Sequence, residues 1–265
     1  MAKLLFVGCG KMGSALLRGT AQRAEQIVVV KPTPVADEFK SASNVLWVSS
    51  AAEIAPAFQP DAVILAIKPQ NMAVILPLYA RYASSVFLSI AAGQTLHRLA
   101  SLLQNDTQPI VRAMPNLPAS IGKGISVAVV NAAVTKEQRD LCDGILRAAG
   151  DVAWVSDETL IDPVTALSGS GPAYVFALVE VMAEAGAKLG LPADLAQKLA
   201  RQTVIGSGAL LEQTTESAAT LRQAVTSPGG TTAAALKLLL NEKALPALMF
   251  LAMEAATKRA KELSA

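Results

Sequence analysis

The N-terminal segment constrains the fold of this chain more than any other stretch. Residues 8–13 read GCGKMG and lie between an apolar run, Lys3–Val7, and a helix-forming stretch that begins at Ser14. In a strand-to-helix turn of GxGxxG type, the first glycine permits the tight turn, the second admits a pyrophosphate, and the third allows close helix packing. The segment therefore predicts a dinucleotide-binding unit with cofactor contacts at Gly8, Cys9, Gly10, Lys11, Met12 and Gly13. A glycine-rich turn without a ligand is the alternative.

The end of the next apolar run, Gln26–Val30, predicts which nicotinamide dinucleotide binds. An acidic residue at this place binds the 2′-hydroxyl of NAD. No carboxylate occurs there, and Lys31 and Thr33 follow instead, where a cation and a hydroxyl can hold a 2′-phosphate. We therefore expect NADPH as the preferred cofactor, with NADH possible. A lysine exposed to solvent is the alternative for Lys31.

Further apolar runs predict a parallel sheet covered on both faces. Uninterrupted runs lie at residues 61–67, 86–90 and 110–114, and weaker strand patterns at 124–130 and 151–155 flank a helical stretch at 136–149. The fold class predicted is α/β, with an N-terminal Rossmann-type dinucleotide-binding domain over residues 1–157.

The remaining residues, 158–265, have helical spacing and predict an all-helical C-terminal dimerisation domain. The stretch 174–188 is apolar on most of its circumference, so it must be enclosed. Glu180 and Glu184 interrupt it, and it falls short of the roughly 20 residues that span a bilayer, so we expect no membrane. Burial against a second subunit is favoured, and burial against the chain's own first domain is the alternative.

Charge and cysteine content exclude other classes of function. With 23 Lys+Arg against 21 Asp+Glu and no basic run, we expect no nucleic-acid partner. Cys9 and Cys142 are too few for a disulfide framework or a metal site, and the single His97 is assigned to the surface. The N-terminus enters the first strand without a targeting pattern, so we expect a cytoplasmic protein.

Three strand ends predict the remainder of a cofactor crevice, because cofactors lie outside the carboxyl ends of parallel strands. The loops that follow the runs at 61–67, 86–90 and 110–114 combine small residues with prolines. Candidate cofactor contacts in these loops are Ala66, Ile67, Lys68, Pro69, Ala92 and Asn116. Each loop alone could be an ordinary connection.

Residues 226–232, TSPGGTT, predict an anion-binding loop in the helical half, before a helix expected to open at Ala233. Helix starts leave unpaired N–H groups and carry the positive end of the macrodipole, so such a loop can hold a carboxylate. A capped turn between two helices is the alternative.

The motifs as a set resemble the pyrroline-5-carboxylate reductase family over essentially the whole chain. The resemblance rests on residues 8–13, 67–69, 89–93, 114–116, 168–174 and 225–232 in this order and spacing. It implies reduction of Δ1-pyrroline-5-carboxylate to L-proline with NAD(P)H, the last step of proline biosynthesis. It also implies a homodimer through the C-terminal helices, which in many members assembles into a pentamer of dimers.

The resemblance further implies the substrate contacts. In this family the loop holds the substrate carboxylate, which implies donors at Ser227 Oγ and at the N–H groups of Gly230 and Thr231, with Gly229 in the same loop. Thr232 would then act as the catalytic residue that orients the imine nitrogen and relays a proton. Glu158 matches a position that lies near the substrate of the neighbouring subunit in some members.

Two other functions remain open from the sequence. A different imine or hydroxyacid reductase could share the scaffold, although β-hydroxyacid dehydrogenases place a catalytic lysine at a glycine-rich helix start and residues 168–174 have none. A non-catalytic dinucleotide-binding dimer is the second, although it has no need to keep Ser227, Gly229, Gly230 and Thr232 together.

Overall fold

The computed structural model describes residues 1–33, 39 and 41–264. These residues form two compact units. Unit 1 comprises Met1–Gly169 with Ala256–Ala265, and unit 2 comprises Ser170–Ala255. The domain boundary predicted after residue 157 stays a prediction, since the compact division falls further along the chain.

Unit 1 is built on a sheet of eight strands in the order β3-β2-β1-β4-β5-β6-β7-β8. The strands are β1 Lys3–Val7, β2 Gln26–Val30, β3 Val45–Val48, β4 Ala62–Leu65, β5 Val86–Ser89, β6 Ile110–Met114, β7 Gly124–Val130 and β8 Gly150–Trp154. The first six are mutually parallel, β7 runs antiparallel to β6, and β8 is parallel to β7. Strand order reverses between β1 and β4, which is where dinucleotides bind in this fold.

Alternate residues of the central strands enter two different cores. Leu4 and Phe6 of β1 belong to one apolar cluster, whereas Leu5 and Val7 belong to another. Since successive side chains of a strand point to opposite faces, both faces of the sheet are covered. The prediction from uninterrupted apolar runs is confirmed, and β3 is the strand that the sequence did not reveal.

Short helices and turns complete unit 1. Its helices are α1 Lys11–Thr20, α2 Met72–Ile75, α3 Leu96–Leu103, α4 Lys136–Arg147 and α5 Ile161–Val164. A π-helical turn, Thr165–Gly169, continues α5 and brings Gly169 against β6, where an added Cβ would lie 2.6 Å from Met114 Cε.

The helical half contains α6 Gly171–Lys188, α7 Ala193–Gln213, α8 Ala218–Ala224, α9 Thr231–Leu239 and α10 Leu245–Ser264. The end of α10 belongs to unit 1. Within one chain, α6 has no buried residue and α7 buries only Ala196 and Ala200. Large apolar side chains such as Phe176 and Phe250 are exposed, which is the pattern of a helical surface that requires a partner.

Two helix predictions were wrong. The helix expected to open at Ala233 begins at Thr231, because Gly230 takes the extended N-cap position and both threonines adopt helical geometry. The apolar helical stretch is also longer than predicted, because α5 and the π-helical turn precede α6 and extend it to Glu158–Lys188. By length and composition alone, this stretch is long and apolar enough to cross a membrane. Core helices of soluble proteins pass the same criterion, so length does not decide what covers this surface.

Candidate active site

The loop after β1 has the backbone geometry that a dinucleotide site requires. Gly8 has φ +80°, and its N–H donates to the Val30 carbonyl at 2.9 Å. A Cβ at residue 8 would lie 2.7 Å from the Ala66 carbonyl oxygen. Glycine is therefore the only residue type that fits at position 8 in this turn beside β4.

The other two glycines of the loop meet opposite surroundings. Gly10 is the N-cap of α1, and a Cβ added there would meet no atom within 4 Å. At Gly13 an added Cβ would lie 2.9 Å from the Ala66 Cβ. Gly10 therefore faces open space at a helix N-terminus, where a pyrophosphate fits, while Gly13 brings α1 close to β4.

The side chains between these glycines differ in exposure. Cys9 is buried, with its Sγ 3.3 Å from Ser14 Oγ, whereas Lys11 is exposed and Met12 is half-buried. A contact between Cys9 and a cofactor can therefore be made only through its backbone. Lys11, Met12 and Gly13 form the first turn of α1, so their N–H groups have no carbonyl acceptor within the helix.

Lys31 and Thr33 lie directly after β2, as the sequence predicted. The Lys31 N–H donates to the Val48 carbonyl of β3 at 2.9 Å, which fixes its backbone at the sheet edge. Lys31 is half-buried and Thr33 is exposed. Both side chains follow the strand whose end contacts the adenosine ribose in this fold class.

The three predicted crevice loops all lie at the carboxyl ends of neighbouring strands. Ala66 and Ile67 pack against Gly8, so they shape the glycine loop, while Lys68 is exposed and caps a short turn opened by Pro69. Ala92 is exposed after β5. Asn116 Oδ1 accepts the Ile125 N–H at 3.0 Å, so this oxygen holds the loop after β6.

The loop before α9 is a tight turn closed by its own backbone. The Gly230 N–H donates to the Ser227 carbonyl at 3.1 Å, and Gly229 has φ +72°. Proline at the second position and a positive φ at the third are typical of a type II turn. A Cβ at residue 230 would lie 2.5 Å from Ser227 Oγ, so a larger residue there would displace this hydroxyl from its position.

One predicted donor already has a partner within the turn. The Gly230 N–H was expected to bind the substrate carboxylate, but it closes the turn. The N–H groups of Thr231 and Thr232 open α9 and therefore have no carbonyl partner one turn earlier. Ser227 Oγ and these two amides are the remaining donors, and the Thr232 side chain is half-buried while that of Thr231 is exposed.

Glu158 has contacts within its own chain that the sequence did not predict. Its Oε1 accepts from Arg112 Nη1 at 2.7 Å and from the Leu96 N–H at 2.8 Å. Arg112 lies on β6 and Leu96 opens α3, far from Glu158 in sequence. These contacts do not support the expected role of Glu158 as a substrate ligand, which stays a prediction.

No metal centre is apparent among the described residues, since they contain no cluster of three or more His, Cys, Asp or Glu side chains that could hold an ion.

The fold and the glycine loop define the chain as an oxidoreductase with a Rossmann-type NAD(P)-binding domain. Comparison with known proteins gives the same class: residues 3–93 match a family described as NADP oxidoreductase coenzyme F420-dependent. Residues 158–263 match the family Pyrroline-5-carboxylate reductase dimerisation.

Relatives match over the full length. A pyrroline-5-carboxylate reductase of Pseudomonas aeruginosa is 37% identical, over 99% of this chain and 97% of its own. The structure of such a reductase from Coxiella burnetii superposes with a TM-score of 0.90 at 36% identity, covering 100% of this chain and 99% of that one. The Plasmodium falciparum pyrroline carboxylate reductase with NADP bound gives a TM-score of 0.81 at 29% identity, over 100% and 98% of the two chains.

The chain belongs to the pyrroline-5-carboxylate reductase family. The resemblance seen in the sequence motifs is thereby confirmed, as is the predicted fold class of a Rossmann-type domain followed by a helical dimerisation domain. As a family member it is an oxidoreductase that acts on the CH–NH group.

Proposed function

We propose that this protein reduces Δ1-pyrroline-5-carboxylate to L-proline with NADPH, in the cytoplasm and as a homo-oligomer. The observation that carries the proposal is the turn at residues 227–230, which combines a hydroxyl, a glycine that accommodates it and the N-terminus of α9. A turn of this kind suits the carboxylate of a small cyclic imine.

The carboxylate would be held by Ser227 Oγ with the amides of Thr231 and Thr232. Hydrogen bonds to an ionised acceptor are stronger than neutral ones, and the positive end of the α9 macrodipole adds to them. Gly229 and Gly230 contribute by shaping the turn, because Gly229 has φ +72° and a Cβ at residue 230 would displace Ser227 Oγ.

The cofactor would be held by the glycine loop and by Lys31 with Thr33. When bound, NADPH supplies the hydride that reduces the imine carbon. The first-turn amides of α1 would bind the pyrophosphate beside Gly10, and the Lys31 ammonium would bind the 2′-phosphate. The loops with Lys68, Ala92 and Asn116 would border the nicotinamide half.

Thr232 is the residue proposed to act on the imine nitrogen. A cyclic imine is basic enough to be protonated by solvent, so a strong acid is not required of the protein. The Thr232 hydroxyl would orient the nitrogen by a hydrogen bond and relay a proton to it. Positioning of the two reacting carbons, at about 3–3.5 Å, would supply most of the rate enhancement.

The activity is tested by following NADPH oxidation with Δ1-pyrroline-5-carboxylate, and NADP⁺ reduction with a panel of 2-hydroxy and 3-hydroxy acids. We expect turnover with the imine alone. Thr232→Ala should lower kcat/KM for the imine roughly tenfold, the size of one lost hydrogen bond. Thr203→Ala, an exposed threonine on α7, is the matched control. No reaction with the imine, or wild-type kinetics in Thr232→Ala, would contradict the proposal.

Cofactor preference is tested by comparing kcat/KM for NADPH and NADH. Lys31→Glu should shift the preference towards NADH, because it removes the phosphate contact and provides an acceptor for a ribose hydroxyl. Lys136→Glu, on the exposed side of α4, makes the same change of charge as a control. A preference for NADH in the unmodified protein would exclude the role given to Lys31.

The exposed apolar helices support a proposal about the assembly. We expect a homodimer through the C-terminal helices, with a second copy rather than lipid covering α6, and a pentamer of dimers as the larger form. Light scattering of the purified protein without detergent measures the mass. A monomer, or a protein that stays in solution only with detergent, would contradict this assembly.

A further inference from the structure

Arg112 is a buried charge in the middle of the sheet. It lies on β6 between Val111 and Ala113, pairs in register with Ser89 of β5 and Val129 of β7, and is 4% exposed. A buried guanidinium is costly unless it is paired and hydrogen-bonded. Its partners are Glu158 Oε1 at 2.7 Å and Asp162 Oδ1 at 3.9 Å, both in the segment that follows β8.

The carboxylate that neutralises Arg112 also caps a helix. Glu158 Oε1 accepts the N–H of Leu96, the first residue of α3, while the Thr95 side chain accepts the N–H of Arg98. Two of the unpaired N–H groups at this helix start are thus satisfied, and a negative charge stands at the positive end of the helix. Glu158 therefore fixes the position of the α3 N-terminus relative to β6.

The segment immediately before α3 is the predicted cofactor loop after β5. Within residues 91–95, Ala91 and Gln94 are buried, while Ala92 is exposed at the carboxyl end of the sheet. Gly93 has φ +69°, and a Cβ there would lie 2.7 Å from the Leu263 carbonyl oxygen. The Leu263 backbone thus packs closely against Gly93, Glu158 binds the junction of the loop with α3, and Ala92 is exposed.

We propose that Glu158 is a positioning residue: paired with Arg112, it holds the Ala92 loop in the conformation that binds the nicotinamide half of the cofactor. This role replaces direct contact with the substrate, and it rests on the proposed use of NADPH. The cap and the buried pair share one oxygen atom, so a change at Glu158 alters both.

The test is NADPH binding measured by calorimetry on the full-length protein, which does not depend on the identity of the substrate. Glu158→Gln keeps the shape and an acceptor for the Leu96 N–H but removes the charge, and we expect roughly tenfold weaker NADPH binding. At saturating NADPH, the KM for the imine should stay unchanged. Glu137→Gln removes a first-turn carboxylate from α4 instead and is the matched control.

Thr95→Ala is the second variant, because it loosens the same helix start without disturbing the buried charge. We expect weaker NADPH binding in this variant too, by a smaller factor, with the same unchanged KM for the imine. It keeps the proposal testable if Glu158→Gln does not fold, which a thermal melt followed by circular dichroism reveals.

Two results would overturn the proposal. An increased KM for the imine with unchanged NADPH affinity in Glu158→Gln would make Glu158 a substrate ligand. Unchanged NADPH affinity in both variants would make the cap and the pair irrelevant to the cofactor. If the unmodified protein bound NADPH but did not reduce the imine, the proposed reaction would fail while the positioning role could still be measured.

Discussion

The two units of this protein bury their apolar residues in different ways. In unit 1, strands such as β4 are buried along their whole length between two apolar clusters of the same chain. In unit 2, α6 is rich in Ala and Val but has no buried residue within one chain. Unit 1 therefore buries its strands within one chain, whereas the apolar side chains of α6 stay exposed until a second surface covers them. The apolar content of an element therefore does not show whether its own chain or a second copy covers it.

The largest effect is expected from a core substitution in unit 1. Phe87→Ala removes a fully buried ring on β5 and should lower the free energy of unfolding by about 3–5 kcal/mol. Because this core belongs to one chain, the loss should be the same at low and high protein concentration. Urea unfolding at several concentrations measures both quantities. A loss that changes with concentration would show that unit 1 also depends on a partner.

An exposed valine provides the matching test of unit 2. Val181→Asp on α6 should dissociate the dimer, because it places a charge in the surface that a second copy would cover. Val74→Asp on α2 makes the same change at an exposed valine of unit 1 and should leave the mass unchanged. Light scattering distinguishes the two variants. If both variants had the same mass, α6 would not be the surface through which the dimer forms.

Two glycine substitutions test whether each unit binds its own ligand. Gly230→Ala brings a methyl group against Ser227 Oγ and should raise the KM for the imine roughly tenfold. Gly10→Ala meets no protein atom, so it should leave stability intact and raise the KM for NADPH by obstructing the pyrophosphate. Steady-state kinetics with each ligand varied in turn checks this. A raised KM for NADPH in Gly230→Ala, together with a raised KM for the imine in Gly10→Ala, would contradict the ligands given to the two loops.

The smallest effect is a pH dependence that arises in unit 1. Burial raises the pKa of the Cys142 thiol from its ordinary 9.0 to about 12. As the pH rises, the unfolded chain therefore loses the thiol proton before the folded chain does. The contribution of the protonated thiol to the free energy of unfolding is present below pH 9.0 and is lost as the pH rises towards 12. At pH 10 the loss is about 1 kcal/mol. Cys142→Ala should flatten the decline between these values in urea unfolding, and an equally steep decline would assign it to other groups.

Local pattern was sufficient for most of the fold. The strands of unit 1 that are continuously apolar were predicted at or near their observed bounds, since burial on both faces leaves a clear signal. β3 was missed because Val45–Val48 is short and only its last residue is fully buried. The start of α9 was displaced because threonine is a weak helix former in isolation, yet Gly230 places both threonines in the helix.

The candidate site was predictable in position but not in detail. The glycine loop carries its function in the spacing of three residues, and the geometry at Gly8 and Gly13 agrees with the roles given to them. The donors in the loop before α9 were only partly predicted, because a sequence does not show that the Gly230 N–H is already used. Glu158 was predicted only as a substrate contact, because its partners Arg112 and Leu96 are distant along the chain.

The βαβ start, the buried strands, the helical second half and the family could all be predicted from local sequence. Each of these depends on neighbours in the chain, through glycine geometry, side-chain periodicity and helix-forming composition. Three features became visible only in the folded chain: Glu158 joins Arg112 to the start of α3, Gly230 closes its own turn, and α6 remains exposed within one chain. The reason is physical: hydrogen bonds and burial between distant segments depend on how the sheet and helices pack, which local sequence does not specify.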